Sequence, residues 1–287
     1  MDISNFKSII TKIKSLPTLP QVFYKIIETI EMPDSSAKDV KETIKRDQSI
    51  SAKILKVANS ALYGHIREIT DISMATVILG FDMIKSIAVS VSVFSSFPKT
   101  EENFTRFDRE LFWIHSMASA EAAVIIADKI GYLKKDRAFL LGLIHDIGKV
   151  VLDYYFSPEY KRVVVKVKQE ECLIRDAEIE ILDFDHSLIG GWLGEQWNFP
   201  DSILSSIKFH HRVNNSSQEF IEEAIITHLA DIVARSAQIG SGGDNNIPKI
   251  SDLVFEKTDL DQEIIEQIVQ QLIKKKSEIE EYFNLLS

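Results

Sequence analysis

Cysteine is nearly absent: Cys172 stands alone in 287 residues. One thiol cannot form an intrachain disulfide, and it excludes a zinc site built from several cysteines. The usage suits a reducing cytosol. Long apolar runs are missing as well. The smoothest stretch, Ser86 to Phe97, has about twelve residues where a membrane span needs about twenty. The opening MDISNFKSII lacks the basic, apolar, small-residue order of a secretion signal. A concentrated basic patch is absent too. Lys274 to Lys276 form the densest run, flanked by several glutamates as on a solvated helix face. With 33 basic and 43 acidic residues the formal charge is −10, and such a chain repels phosphate backbones. The expectation is a soluble, cytoplasmic protein with neither a membrane nor DNA as partner.

Glycine and proline are scarce, 11 and 7 residues, so little interrupts a helical pattern. Ile9, Ile10, Ile13 and Leu16 predict a short amphipathic helix stopped by Pro17 and Pro20. Residues 32–64 predict two helices, the first capped by Ser35 or Ser36 and the second starting at Asp47. Ile50, Ile54, Leu55 and Ala58 supply the apolar stripe of that second helix. The polar patch Pro98 to Asp108 is the clearest boundary. The chain is expected to divide into a helical N-terminal half (1–98), a second helical half (99–240), and a loop with a closing amphipathic helix (241–287). YKRVVVKVKQEECLI is strand-like by its valines, but its charges fall at helical spacing and no partner strand lies nearby. It is assigned as helix. SGGDNNIP (241–248) predicts a flexible loop. Ile264, Ile265, Ile268, Val269, Leu272 and Ile279 lie on one face of the tail, which either closes the fold or dimerises.

GLIHDIGKV, residues 142–150, sets His145 and Asp146 side by side in an apolar helical segment, followed by Gly148 and Lys149. A buried carboxylate is costly unless a cation compensates it. Imidazole and carboxylate together suit a borderline divalent ion such as iron, manganese or zinc. At about 100° per residue the two side chains point in neighbouring directions and reach one ion between them. Further ligands must come from facing helices, as in helical bundles. The chain has seven histidines, six of them in the helical half at 99–240. Taken singly, each is more often a packed, hydrogen-bonded residue than a ligand.

The order His115, His145–Asp146, Asp231 resembles the H…HD…D signature of the HD superfamily of metal-dependent phosphohydrolases. LPTLPQVFYKII, RDQSISAKILKVANSALYG, ITDISMATVILGFDMIKSIAVS and GWLGEQWNFPDSILSSIKFHH together resemble an HDOD domain, the HD-related output domain. The resemblance spans Leu16 to Arg212 and extends loosely to Ala237. It implies an all-α, HD-like bundle with an N-terminal helical half, and a place in bacterial signalling beside two-component or cyclic-dinucleotide modules. Many HDOD domains have lost the HD ligands; this chain keeps His115, His145, Asp146 and Asp231. His186, His210 and His211 sit where the related HD-GYP phosphodiesterases supply further ligands, so the resemblance implies one or two divalent ions. Lys149 matches the lysine of the HDxGK element, which in those enzymes faces the substrate phosphate. Asp146 and Lys149 are therefore the candidate catalytic residues. Two departures count against a full three-metal site. HHRVNNSS replaces the HHE…GYP stretch, and Leu111 stands where a glutamate would precede His115 by one turn.

Three functional readings follow. The first is a regulatory HDOD protein that signals through contacts with other signalling proteins and retains a metal centre. The second is a metal-dependent phosphohydrolase taking a nucleotide or cyclic dinucleotide as ligand. The third, a helix-turn-helix with Lys53 and Lys56 on its second helix, conflicts with the acidic charge. Trp113, Trp192 and Trp197 are expected core anchors. Cys172 has no activating neighbour and is assigned as inert. Asn59 and Ser60 are expected to satisfy backbone groups. His65 is assigned to a surface loop, and His228 either supports Asp231 or simply packs.

Overall fold

In a computed structural model of the chain, aspartate side chains start several of the helices. Asp47 accepts the Ile50 amide at 3.0 Å, and Asp71 accepts those of Ser73 at 2.8 Å and Met74 at 3.0 Å. Asp108 accepts the Leu111 amide at 3.0 Å and Asp185 that of Leu188 at 3.2 Å. Each contact satisfies a helix-start amide that has no intrahelical partner. The structure describes residues 19–31, 37–60, 68–97 and 105–286. The helix expected at Ile9–Leu16, the cap at Ser35 or Ser36, most of the polar patch and His65 lie outside them. Among the described residues there is no strand, and the fold is all-α as expected.

The chain forms two compact units. One, drawn from Pro17–Lys99 and Lys275–Ser287, contains α1 (Gln21–Glu31), α2 (Ala37–Arg46), α3 (Gln48–Ala58), α4 (Ile72–Leu79), α5 (Phe81–Ser96) and α16 (Lys276–Leu286). Ile50, Ile54, Val57 and Ala58 are the buried residues of α3, so Val57 stands in the stripe where Leu55 was expected. Each fully buried aliphatic residue of this kind contributes about 1.5–3 kcal/mol. Asn59 closes the segment: its side chain bonds Ile69 through both the carbonyl (2.8 Å) and the amide (2.7 Å), the backbone role expected of it.

The other unit, drawn from Thr100–Lys274, contains α6 (Arg109–Lys129), α7 (Lys135–Ile144), α8 (Ile147–Tyr155), α9 (Ser157–Glu170), α10 (Ile174–Leu182), α11 (His186–Gln196), α12 (Asp201–Phe209), α13 (Ile221–Ser236), α14 (Asp252–Lys257) and α15 (Gln262–Lys274). The valine-rich segment is α9, with Tyr160, Val163, Val164 and Val167 buried at helical spacing. Helix α6 packs against α7 and α13, α8 against α11, and α12 against α13. Among the described residues α6 is the one single helix long and apolar enough to span a bilayer, and 67% of its apolar 18-residue stretch is buried inside the protein. Trp113 and Trp197 are buried anchors, whereas Trp192 is half-buried.

Two expectations change. The tail is not one helix. It breaks at Lys275, and α15 and α16 belong to different units. Ile265, Ile268 and Leu272 are buried with α15 against α6 and α13, while Ile279, Tyr282 and Phe283 are buried in the other unit. The apolar face is therefore used within the chain rather than offered for dimerisation. The apolar helical segment at 142–150 is also interrupted: α7 ends at Ile144 and α8 begins at Ile147, with His145 and Asp146 at the break.

Candidate metal centre

The break between α7 and α8 places His145 and Asp146 at the centre of this unit. His115 comes from the middle of α6 and Asp231 from α13. His186 opens α11, and His210 and His211 follow α12. All seven candidate ligands converge. One ligand atom from each of His115, His145, Asp146 and Asp231 lies within 4.8 Å of the others, and the same holds for Asp146, His186, His210 and His211. Asp146 belongs to both sets through different oxygens. Its Oδ2 faces His145 Nε2 at 3.3 Å and His115 Nε2 at 3.8 Å. Its Oδ1 faces His186 Nε2 at 3.0 Å and His210 Nε2 at 3.5 Å. Asp231 Oδ1 lies 3.1 Å from His115 Nε2 and 3.9 Å from His145 Nε2.

Local hydrogen bonds aim the imidazoles. His145 Nδ1 is 2.7 Å from the Gly142 carbonyl, and His210 Nδ1 is 2.9 Å from that of Ile207. A carbonyl only accepts, so each Nδ1 carries a proton and, in the neutral ring that binds a metal, each Nε2 turns a lone pair inward. Glu178 does the same for His186, accepting its Nδ1 at 2.6 Å and its backbone amide at 2.8 Å. A carboxylate behind an imidazole is the arrangement that orients metal-ligating histidines. His211 Nε2 lies 2.9 Å from His186 Nε2. Gly148 makes the α8–α11 approach possible: a Cβ there would lie 2.0 Å from the His186 carbonyl oxygen.

The inner atoms remain open. His115 Nε2, His145 Nε2 and Asp146 Oδ1 are buried without a hydrogen-bond partner. That is unusual for buried polar atoms, and the donor set is what iron, manganese or zinc accepts. The residues therefore fit a divalent ion. The carboxylate charge is also balanced internally, since Lys149 Nζ lies 2.5 Å from Asp146 Oδ2 and Arg235 Nε lies 2.8 Å from Asp231 Oδ1.

Electrostatics follow from this crowding. Burial alone would depress His145, but Asp146 and Asp231 overcome it and push its pKa up to about 9. At His210 burial outweighs the support of Asp146 and, aided by the charges of His145 and His186, holds the pKa down to about 4. Burial also keeps His211 well below the usual imidazole range, with His210 and His186 adding to the effect. Burial disfavours the Asp146 anion, yet His145, Lys149 and His186 keep it well below the usual carboxylate range.

His228 is not aimed at the cluster. Its Nδ1 lies 2.7 Å from the His210 carbonyl and its Nε2 accepts the Ser251 amide at 3.0 Å, so it braces backbone beside the ligands. Three participants escaped the sequence reading: Glu178, Arg235 and Asp244. Arg235 was visible as a helical i,i+4 partner of Asp231. Glu178 and Asp244 reach the site through tertiary packing and leave no local signal. The segment expected to be a flexible loop is tied down, with Asp244 buried. Cys172 is half-buried and unpaired, and partial burial with Glu170 nearby raises its thiol pKa, as expected of an inert cysteine.

The family model for the HDOD domain matches residues 16–213. The chain belongs to the HDOD family. The HDOD domain protein of unknown function from Geobacter sulfurreducens has the same fold, at 23% identity and a TM-score of 0.82, covering 99% of this chain and 98% of its own. A candidate signal-transduction protein from Marinobacter aquaeolei matches 99% of this HDOD chain with 65% of its own, at 20% identity and a TM-score of 0.84. An uncharacterized protein of Treponema pallidum is 27% identical over 222 residues. That match covers 74% of the HDOD chain but 41% of the relative, so this chain spans well under half of that protein's length.

Proposed function

We propose that this HDOD protein is a bacterial, cytoplasmic signalling regulator built around a divalent-metal centre. His115, His145, Asp146 and Asp231 hold a first ion of iron, manganese or zinc. Asp146, His186, His210 and His211 hold a second. The observation that carries the reading is Asp146, whose two oxygens face separate ligand sets while Oδ1 and two facing Nε2 atoms lack hydrogen-bond partners. Retention of every ligand supports a working centre rather than a relic. Its burial supports regulation: six of the seven ligands are at most 2% exposed, and His211 alone is half-buried. An output of this kind acts through contacts with partner signalling proteins, two-component or cyclic-dinucleotide modules among them.

Lys149 favours a second reading, a phosphohydrolase acting on a nucleotide or cyclic dinucleotide. A bound divalent ion supplies a Lewis acid and an acidified water. Lys149, held against Asp146, would place a cation where phosphate charge develops.

Elemental analysis of the protein expressed without a histidine tag, beside the His145→Ala/Asp146→Ala variant, tests the centre. One or two equivalents of metal, lost in the variant, are expected. No metal in either, with the variant as stable as the parent, refutes it. A nucleotide and cyclic-dinucleotide panel separates the readings: the regulator is inert, and turnover abolished by Asp146→Ala establishes the enzyme.

A further inference from the structure

The residues Gly240 to Asn246 run directly over the candidate centre. Gly240 has φ +68, and a Cβ there would lie 2.2 Å from the His115 amide nitrogen and 2.4 Å from the Leu111 carbonyl oxygen. Only glycine lets the chain cross α6 this closely. Ser241 then donates its amide to the Leu111 carbonyl at 2.9 Å. At Gly242 a Cβ would meet Arg235 at 3.0 Å, Lys149 Nζ at 3.2 Å and His115 Nε2 at 3.4 Å. The backbone of this segment thus occupies the space above the ligands and the one lysine among them.

Asp244 fastens the segment. Its Oδ1 accepts Arg235 Nη1 at 2.8 Å and the Asn246 amide at 2.9 Å. Its Oδ2 accepts the Ile174 amide at the start of α10 at 3.0 Å. Arg235 in turn holds Asp231, so one guanidinium links the segment to a candidate ligand.

A cavity lies on each side. The larger, about 730 Å³, has Phe107, Val164 and Val167 in its lining, with Arg106 and Lys168 beside Asp108 and Glu171 among its charged residues. The smaller, about 280 Å³, has Arg175, Arg235 and Lys249 together with Asp176 in its lining. Asp244 lines both. The larger falls in the usual range for small-molecule sites and the smaller just below it.

We propose that Gly240–Asn246 is a displaceable plug, latched by Asp244 on Arg235, and that lifting it joins the two cavities into one cleft for an organic phosphate ester. The apolar lining of the larger cavity would take a ring system. Lys149 and Arg235, uncovered beneath the plug, would take the phosphate, and losing Asp244 frees one face of the guanidinium for it. The proposal rests on the metal-centre reading for the identity of what is covered and on the phosphohydrolase reading for the class of ligand.

Amide hydrogen exchange of the metal-free full chain tests the latch, comparing the parent with Asp244→Ala and with Asp244→Asn. The asparagine variant keeps one acceptor oxygen, enough for the Ile174 amide or the Asn246 amide but not both, and loses the charge pairing with Arg235; it stands in if the alanine variant does not fold. Exchange at residues 241–246 is expected to accelerate about tenfold or more, with α6 and α13 unchanged. Adenosine 5′-monophosphate, titrated calorimetrically, is expected to bind the variant and not the parent. Unchanged exchange, or acceleration spread equally over α6 and α13, overturns the latch. Accelerated exchange without a gain in nucleotide binding overturns the cleft, and equal binding to parent and variant overturns the gating. Neither readout needs bound metal, so failure here is distinct from failure of the metal centre.

Discussion

Helix α5 and the α6–α8 cluster bury polar side chains to opposite ends. In α5, Ser90 and Ser92 are buried, and with Ser96 each bonds a carbonyl one turn back, at 2.9, 2.7 and 2.7 Å. The hydroxyls are spent on their own helix, and the interior around them is complete. In α6, Ser116 does the same with Phe112 at 3.0 Å. His115, its immediate neighbour, does not: its Nε2 is buried and open. At His145, His186 and His210 the outer ring nitrogen is anchored and the inner one faces the cluster. A polar residue that closes its bonds locally is part of the packing. One that is held from behind and open in front is built to receive something.

Gly148→Ala should break the second kind of region most severely. A methyl group there would meet the His186 carbonyl oxygen and the Gly190 nitrogen, both backbone atoms of α11. Neither can rotate away, so α8 and α11 must separate. The expected cost is about 3 kcal/mol or more, with loss of metal at both clusters, because Asp146 immediately precedes one displaced helix and His186 opens the other. Denaturant unfolding together with metal content checks it. A variant as stable and as metal-loaded as the parent would show that the close approach is not needed.

Glu178→Gln sharpens the comparison by loosening one anchor while leaving every ligand in place. The amide no longer supplies a charged acceptor for His186 Nδ1. Support of this kind is worth about 10–100-fold in metal affinity, and the loss should fall on the ion shared by His186, His210 and His211. The ion at His115, His145 and Asp231 should bind as before. Competition titration against a chromogenic chelator would resolve the two affinities.

Asp185 tests whether a polar group at the edge of the site belongs to packing. Burial works against its ionisation. His186, the Ser187 hydroxyl and the Arg212 and Arg175 guanidiniums outweigh burial and hold its pKa at about 2. A depressed carboxylate contributes stability above its unfolded value near 3.8 and loses it as pH falls through 2. Asp185→Asn should therefore cost on the order of 2 kcal/mol at pH 5. The gap between parent and variant should narrow towards pH 2. Chemical denaturation at the two pH values checks this, and a gap independent of pH would remove the charged network from the account.

How far this was legible in sequence follows from the same distinction. Scarce glycine and proline made the helices readable, and His145–Asp146 with Lys149 announced the candidate centre because the chemistry sits within five consecutive residues. The remaining ligands came through the family resemblance, not through spacing. The break after Ile144 was hidden, because an apolar run continues on both sides and only tertiary packing turns the pair inward. The break at Lys275 was hidden for a related reason: lysines favour helix equally on either side of it. The Gly240–Asn246 segment has the composition of a mobile loop. Its glycines serve a close crossing over α6 instead, and Asp244 is buried by partners far away in sequence.

Ser92→Ala should produce the smallest effect, and it is the control for all the others. Ser92 is fully buried, like His145. If burial of a polar group were the mark of a site, its removal should matter as much. The Ser92 hydroxyl, however, bonds only the Ala88 carbonyl of its own turn at 2.7 Å, a bond that alanine removes together with its donor. No buried donor is left unpaired, and that carbonyl keeps its helical hydrogen bond, so the net change should stay within about 1 kcal/mol. Alanine's better helix propensity offsets part of it. Metal content should not change, since Ser92 lies in the unit that carries none of the candidate ligands. A loss of several kcal/mol would mean that α5 relies on its serines for more than local closure, and the contrast with the histidine cluster would have to be redrawn.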